Sequence, residues 1–415
     1  MTSLFTTASG HLRARHRAEW RFRWLGRLAI VFSLGFLLIM LFSITSLGKG
    51  ALSRAEIQLS IDLSAASTLE DVNFKKAVRT ALFATFPEVT DRSDKRALLK
   101  LLSSDSGYEL ARMVEENPAL LGQETTLWFT ASDDIDMYEK GAIDANLPEN
   151  RRRLKDTTLG WVRTLESRDA LRSVFNTAFF TSGDSREPEL AGIFSALVGS
   201  ILSLIVCFAL SFPLGIMAAL SLEEFSKKSR WSDFIEVNIN NLAAVPSIVF
   251  GLLGMAIFLN VFGLPRSSPL VGGMVLALMT LPTIIIASRA ALRSVPPSIR
   301  EAALAMGATR VQTTFHHVLP LAMPGMLTGA IVGMARALGE TAPLIMIGMV
   351  AFIVDVPQGF TDAATSLPVQ IFLWADSPER AFLEKTSAAI LVLLGLLIVM
   401  NIAAIVLRKK FERRY

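Results

Sequence analysis

The stretch VPPSIREAALAMGATRVQTTFHHVLP, residues 295–320, decides how the chain is read. Ser298 followed three residues later by Glu301 has the pattern of a capping box, which predicts a short helix beginning near Ile299. Gly307 stands where a left-handed C-terminal cap belongs, so that helix ends after about two turns. Thr309 with Gln312 repeats the box. The second helix is expected to finish before Pro320, because a proline drives the residue ahead of it out of the α region. Helices this short are marginal in water and need a neighbour. Ile299, Ala302, Ala303 and Met306 offer one small apolar face, which seats either on the chain's own bundle or on a cytosolic partner.

The elbow is set in a chain built for lipid. Of 415 residues, 52% are hydrophobic and 19% charged, an apolar excess beyond what one soluble core uses. The excess lies in six blocks, 28–47, 190–222, 242–264, 270–288, 321–354 and 388–407, each long enough for about 30 Å of hydrocarbon. This predicts an all-α polytopic membrane protein with about six spans. Basic residues sit where the positive-inside rule puts cytoplasmic loops if both termini are inside. Arg13, Arg15, Arg17, Arg21, Arg23 and Arg27 precede the first block, and Lys227, Lys228 and Arg230 follow the second. Arg289 and Arg293 close the fourth, and Arg408, Lys409, Lys410, Arg413 and Arg414 follow the sixth. A basic arm can bind nucleic acid, but one abutting a span reads as a topology signal, and no nucleic-acid partner is expected.

The expected division is a cytoplasmic arm at 1–27, a first span at 28–47, an extracytoplasmic domain at 48–188, a transmembrane domain at 189–410 carrying the loop 294–320, and a tail at 411–415. The first block, about 20 residues, exceeds a signal-peptide core and reads as a retained anchor. The 48–188 region is charged and patterned as a mainly helical domain: Phe74, Ala77, Val78, Ala81 and Leu82 recur at helical spacing. It shows no metal-ligand spacing and no nucleophile-and-base set, which favours a structural or docking role over a sensor. Ser182–Pro188 reads as a linker. With one cysteine, Cys207, no intramolecular disulfide is available. Neither metal nor cofactor is expected.

In the fifth block Gly325, Gly329, Gly333 and Ala337 recur every four residues, a smooth stripe that lets another helix approach. Arg336 and Glu340 lie about 60° around the helix from it, towards neighbouring helices rather than lipid. An ionisable pair at membrane depth marks a transport path unless it merely neutralises itself. Arginine suits an oxyanion, since its planar fork meets two oxygens at once. Asn241, Pro246 and Ser247, Thr280, Pro282 and Thr283, and Thr341 and Pro343 interrupt spans three to five as the lining of a path would. The path candidates are thus Arg336, Glu340, Thr341, Asn241, Ser247 and Thr283.

The pattern Glu301-Ala302-Ala303, three residues, Gly307, then Leu319-Pro320 resembles the EAA loop of type I ABC-importer permeases, which docks into a cleft of the ATPase subunit. His317 stands where that family usually has Ile. The resemblance gives Glu301, Ala302, Ala303, Gly307 and Pro320 the coupling role. NLAAVPSIVFG (241–251), TLPT (280–283), LRSVP (292–296) and RALGETAP (336–343) resemble phosphate-specific permeases of the PstA-like branch, over roughly residues 190–410. That resemblance implies a PstC-like second permease, a PstB-like ATPase dimer and a periplasmic PstS-like phosphate-binding protein. The chain has no glycine-rich loop ending in Gly-Lys-Ser/Thr, so the ATPase is expected on another polypeptide. Two other readings stay open: a permease for sulfate or molybdate, and a receptor with 48–188 as its sensor.

Overall fold

Long apolar runs with few charges become helices, and five helices here have the length and hydropathy to cross a bilayer. The computed structural model describes residues 2–64, 69, 72–227, 229–350 and 352–411. Lys228, Arg413 and Arg414 of the basic clusters lie outside the described residues. The long helices are α1 (Thr2–Gly48), α8 (Phe194–Leu220), α11 (Pro269–Arg293), α14 (Leu319–Leu338) and α17 (Ala381–Phe411).

The expected third span, 242–264, is not one helix. It is the second limb of a broken pair, α9 (Arg230–Ala243) and α10 (Ser247–Gly254), which continues to Val261 as a wide π turn and is bent by 101°. Pro246 is the N-cap of α10, and its ring keeps Val245 out of the α region, so the chain must turn there. The fifth block also breaks. α14 stops at Leu338, Gly339 caps it, and a short α15 (Ala342–Met346) follows with proline in its first turn.

α11 is the centre of the bundle, with α8 on one side and α14 on the other. The glycine stripe is what brings α14 close. A Cβ placed on Gly329 would come within 2.2 Å of the Ala287 Cβ, and one on Gly325 within 2.7 Å of the Ala291 Cβ. Gly333 lies opposite Ile284 and Thr280. Gly329→Ala is therefore expected to overpack this contact by about 1–3 kcal/mol and lower the melting temperature of the purified protein. Adding Ala287→Gly should restore it; a double variant that melts no higher than the single would show that the stripe does not set the spacing.

The 48–188 region departs from the all-α expectation. It is an α+β domain whose centre is a three-stranded antiparallel sheet of β1 (Ser53–Asp62), β2 (Glu124–Thr130) and β3 (Leu171–Phe175), in the order β2-β1-β3. Helices α2 (Phe74–Thr85), α3 (Arg92–Leu98), α4 (Ser106–Glu116), α5 (Asp133–Glu139), α6 (Asp156–Ser167) and α7 (Thr177–Thr181) surround it. The strand signal is the alternation of Ala55, Ile57, Leu59 and Ile61, all buried, with Glu56, Gln58 and Ser60. These pack with Val78, Leu82, Leu110, Phe129, Val162 and Leu165 into one core.

Ser182–Pro188 is not a loose tether. The Asp184 N–H donates to the Ile353 carbonyl at 3.1 Å, and its carboxylate accepts the Trp374 indole N–H at 2.9 Å. Nearby, Lys140, the C-cap of α5, bridges Asp136 and, at 3.3 Å, Glu384 at the start of α17. The domain is thus fastened to the end of the bundle where α17 begins.

Glu189 is buried at this seam, which pushes its carboxyl up to about 7, with Glu187 and Asp133 adding repulsion. An acid whose pKa is raised on docking stabilises fully below its ordinary value near 4.5 and loses that contribution as pH rises through 7. The protein is expected to melt several degrees lower at pH 8 than at pH 5.5, and Glu189→Gln should flatten that dependence. An equally steep pH profile in Glu189→Gln would remove the residue from the seam's energetics.

Candidate functional site

The elbow is built from two helix ends and one left-handed residue. α12 (Pro297–Ala305) starts earlier than the Ser298–Glu301 box requires. Pro296 is its N-cap and Pro297 takes the first turn, a position where a missing N–H costs nothing. No capping box forms there, and Glu301 is left exposed. At the other end Gly307 has φ +85°; its N–H donates to the Leu304 carbonyl at 2.9 Å and the Ala308 N–H to the Ala303 carbonyl at 3.1 Å. Those two bonds are a Schellman cap, which needs a left-handed residue at Gly307.

The Thr309–Gln312 box forms in full and starts α13 (Arg310–Gln312). The chain does not stop before Pro320 as the sequence suggested. Residues Thr313–Val318 widen into a π turn, with the Leu319 N–H donating to the Thr314 carbonyl, and run straight into α14. The wider turn makes room for the proline ring, so the second arm of the elbow is the foot of a membrane helix.

The small apolar face divides. Ile299 packs inward with Leu292, Val295, Val318 and Ala322 and Ala303 is buried, whereas Ala302 and Met306 are exposed, Met306 at 88%. Leu304, Val311 and Phe315, on the same elbow, are exposed as well. The elbow thus presents Glu301, Ala302 and a rim of four large apolar side chains outward. Leu304, Val311 and Phe315 were missed in the sequence because the assumed helix boundaries put them on no common face.

The path candidates gather around the two breaks. Gly333 is level with Thr280, near the middle of α11, and Arg336 follows one turn further along. Arg336 therefore sits near mid-depth, in the last turn of α14, rather than inside an unbroken span. Its Nε lies 3.6 Å from Glu340 Oε1, beyond the helix end. The expectation that both charges face neighbouring helices holds for Glu340, 21% exposed, and not for Arg336, 50% exposed on an open side of the chain.

Thr341 is the N-cap of α15, Ser247 opens α10, and Asn241 stands just before the 101° bend. α10 and α15 touch where a Cβ on Gly251 would meet the Pro343 Cα at 2.7 Å. Thr283 lies on α11 beside Ile284, which faces α14. Among the described residues, no hydrogen bond joins Asn241, Ser247, Thr283 or Thr341 to the Arg336–Glu340 pair. A groove of about 580 Å³ between α8, α14 and α17 is lined by side chains such as Phe208, Met334 and Met400, and offers nothing to an anion.

Charged residues at the foot of the bundle were also underread. Glu223, Glu236, Arg289 and Arg293 form one ion-pair network, and Glu224 with Arg300 forms a separate pair next to it in sequence. By sequence alone Arg289 and Arg293 read as topology markers and Arg300 carries no assignment. The signal for more was the doublet Glu223-Glu224 at the end of an apolar block flanked by basic loops.

Residues 211–415 match the family model described as binding-protein-dependent transport system inner membrane component, and residues 9–149 match a domain of unknown function, DUF3333. The phosphate transport system permease protein PstA 1 of Mycobacterium tuberculosis is 34% identical over 230 residues, covering 55% of this chain and 74% of that protein. The phosphate transport system permease protein PstA of Yersinia pestis is 33% identical over 220 residues, covering 53% and 73%. A solved structure of the inward-facing MetNI methionine ABC transporter aligns with a TM-score of 0.40 at 18% identity, over 54% of this chain and 95% of that one. With a multi-pass helical bundle and relatives of this extent, the chain belongs to the binding-protein-dependent transport system inner membrane components, as a PstA-like permease subunit of an ABC importer.

Proposed function

We propose that this chain moves inorganic phosphate across the bacterial inner membrane, with both termini in the cytoplasm, as one half of a two-permease pathway. The observation that carries the reading is Arg336, a guanidinium near mid-depth and half exposed on an open side of the bundle. A second, PstC-like permease facing that side would close the pathway around it. Arginine stays charged at every working pH, and its fork meets two oxygens of a tetrahedral oxyanion. Glu340 tempers the charge so that the ion is not held permanently. Phosphate, rather than sulfate or molybdate, is chosen because the relatives named above are phosphate permeases.

The energy enters through the elbow. Glu301, Ala302, Ala303, Gly307 and Pro320 form the handle that a separate PstB-like ATPase dimer grips, and a PstS-like phosphate-binding protein delivers the ion at the outer face. The 48–188 domain, fastened across the outer end of the bundle, has a structural role in this reading. The test is phosphate uptake by cells with and without the gene, challenged with excess sulfate or molybdate. Uptake lost on deletion and untouched by the competitors supports phosphate. Competition by sulfate or molybdate moves the reading to that anion.

A further inference from the structure

The foot of α8 ends in a π turn, Ser221–Phe225, whose N–H···O bond from Ser226 to Ser221 spans five residues. Within it stand two consecutive glutamates that serve different helices. Glu223 takes Arg289 at 2.6 Å and Arg293 at 2.8 Å, both on α11, and Arg289 reaches on to Glu236 of α9 at 2.7 Å. Glu224 takes Arg300, on α12, at 2.7 Å. Arg300 is also held from its other edges: it donates to the Val295 carbonyl at 2.8 Å and to the Leu292 carbonyl at 2.9 Å, the open end of α11. One guanidinium therefore ties the coupling helix to the end of α11 and to the foot of α8. The Glu224 side chain is only 11% exposed, so the pair is shielded from the solvent screening that weakens surface pairs.

We infer that Arg300 is a positioning residue for transport, gearing α12 to α8 and α11 through Glu224 so that a push on the elbow moves the spans rather than bending the loop. Ile299 seats α12 by apolar contact, which permits sliding; the five-pronged fork of arginine adds direction, which apolar packing lacks. Lysine at this position keeps the charge but has no planar fork for the carboxylate and both carbonyls, so it is a partial substitute. The inference rests on the coupling role proposed above, and its test has an arm that does not depend on the substrate.

The experiment uses the whole importer, co-purified with its ATPase, carrying Arg300→Gln, Glu224→Gln, both changes, or Arg300→Lys. Hydrogen exchange of the 297–308 and 219–227 backbones reads the tie itself, and phosphate moved per ATP hydrolysed reads the gearing. Both single glutamine variants are expected to quicken exchange in both segments and to cut the transport-to-hydrolysis ratio about tenfold with assembly intact. The double variant should be no worse than either single, because the two residues are one link, and Arg300→Lys should fall between. Unchanged exchange, additive losses, or a wild-type ratio in an assembled Arg300→Gln complex each overturn the inference. If the unmodified complex itself moves no phosphate, the functional reading fails, while the exchange arm still decides whether Arg300 ties the two segments.

Discussion

Arg336→Ala is expected to abolish phosphate uptake, lowering it at least a hundredfold, while the permease still inserts and co-purifies with its partners. The guanidinium is half exposed and pairs with Glu340 at 3.6 Å, so its loss removes little packing. What goes is the candidate cation near mid-depth for an anion that must leave water there, and an uncompensated charge in that setting costs several kcal/mol. Arg336→Lys keeps the charge without the fork and should retain a fraction of the activity. Glu340→Gln should act differently: an untempered arginine holds its ion longer, so apparent affinity rises as turnover falls. Radiolabelled phosphate uptake at several concentrations separates the three. Unaltered kinetics in an assembled Arg336→Ala importer would reduce the pair to a structural contact.

Gly307→Leu is expected to cut uptake at least tenfold and leave ATP hydrolysis running without transport. At φ +85° an L side chain is strained by about 1–2 kcal/mol whatever space surrounds it. The space here is open, with nothing within 4 Å of a Cβ, so the variant is expected to fold. It relieves the strain by giving up the two Schellman bonds from Gly307 and Ala308, which changes the angle between α12 and α13. Gly307→Asn, which tolerates the left-handed region far better, should be nearly silent. If Leu and Asn behave alike, the corner's conformation does not matter for coupling.

The elbow could be read from sequence because its punctuation is local. A left-handed glycine and a Thr-x-x-Gln box each act within about four residues, and both took the form their spacing suggests. Misreadings arose where one local signal competed with another. Ser298 and Glu301 fit a capping box, but α12 already begins at Pro297, so Ser298 lies inside the first turn rather than at the N-cap and Glu301 lies past the position that closes a box. Pro320 reads as a terminator, yet a π turn one step earlier absorbs its ring. The strand at Ser53–Asp62 was legible as an alternation and was passed over beneath stronger helical runs downstream.

The candidate site was legible residue by residue rather than as an assembly. Arg336 and Glu340 stand out as charges in an apolar block, but the break after Leu338 that frees Arg336 depends on Gly339 and Pro343 acting together. The pairing of Arg300 with Glu224 joins residues 76 apart, which no local periodicity carries. Such pairs follow only from the packing of α8, α11 and α12, and that packing is set by small residues whose partners lie in other helices.

Coupling requires that the elbow be reachable from the cytosol by a separate motor. Cys207 is the sole native thiol and is buried in α8, so a cysteine introduced for Met306, at the exposed corner, is a clean probe. In inside-out vesicles carrying the whole importer, that thiol should react with a membrane-impermeant maleimide and cross-link to the co-purifying ATPase, with the yield changing on ATP addition. Labelling only in right-side-out vesicles, with no cross-link to any ATPase, would contradict the account.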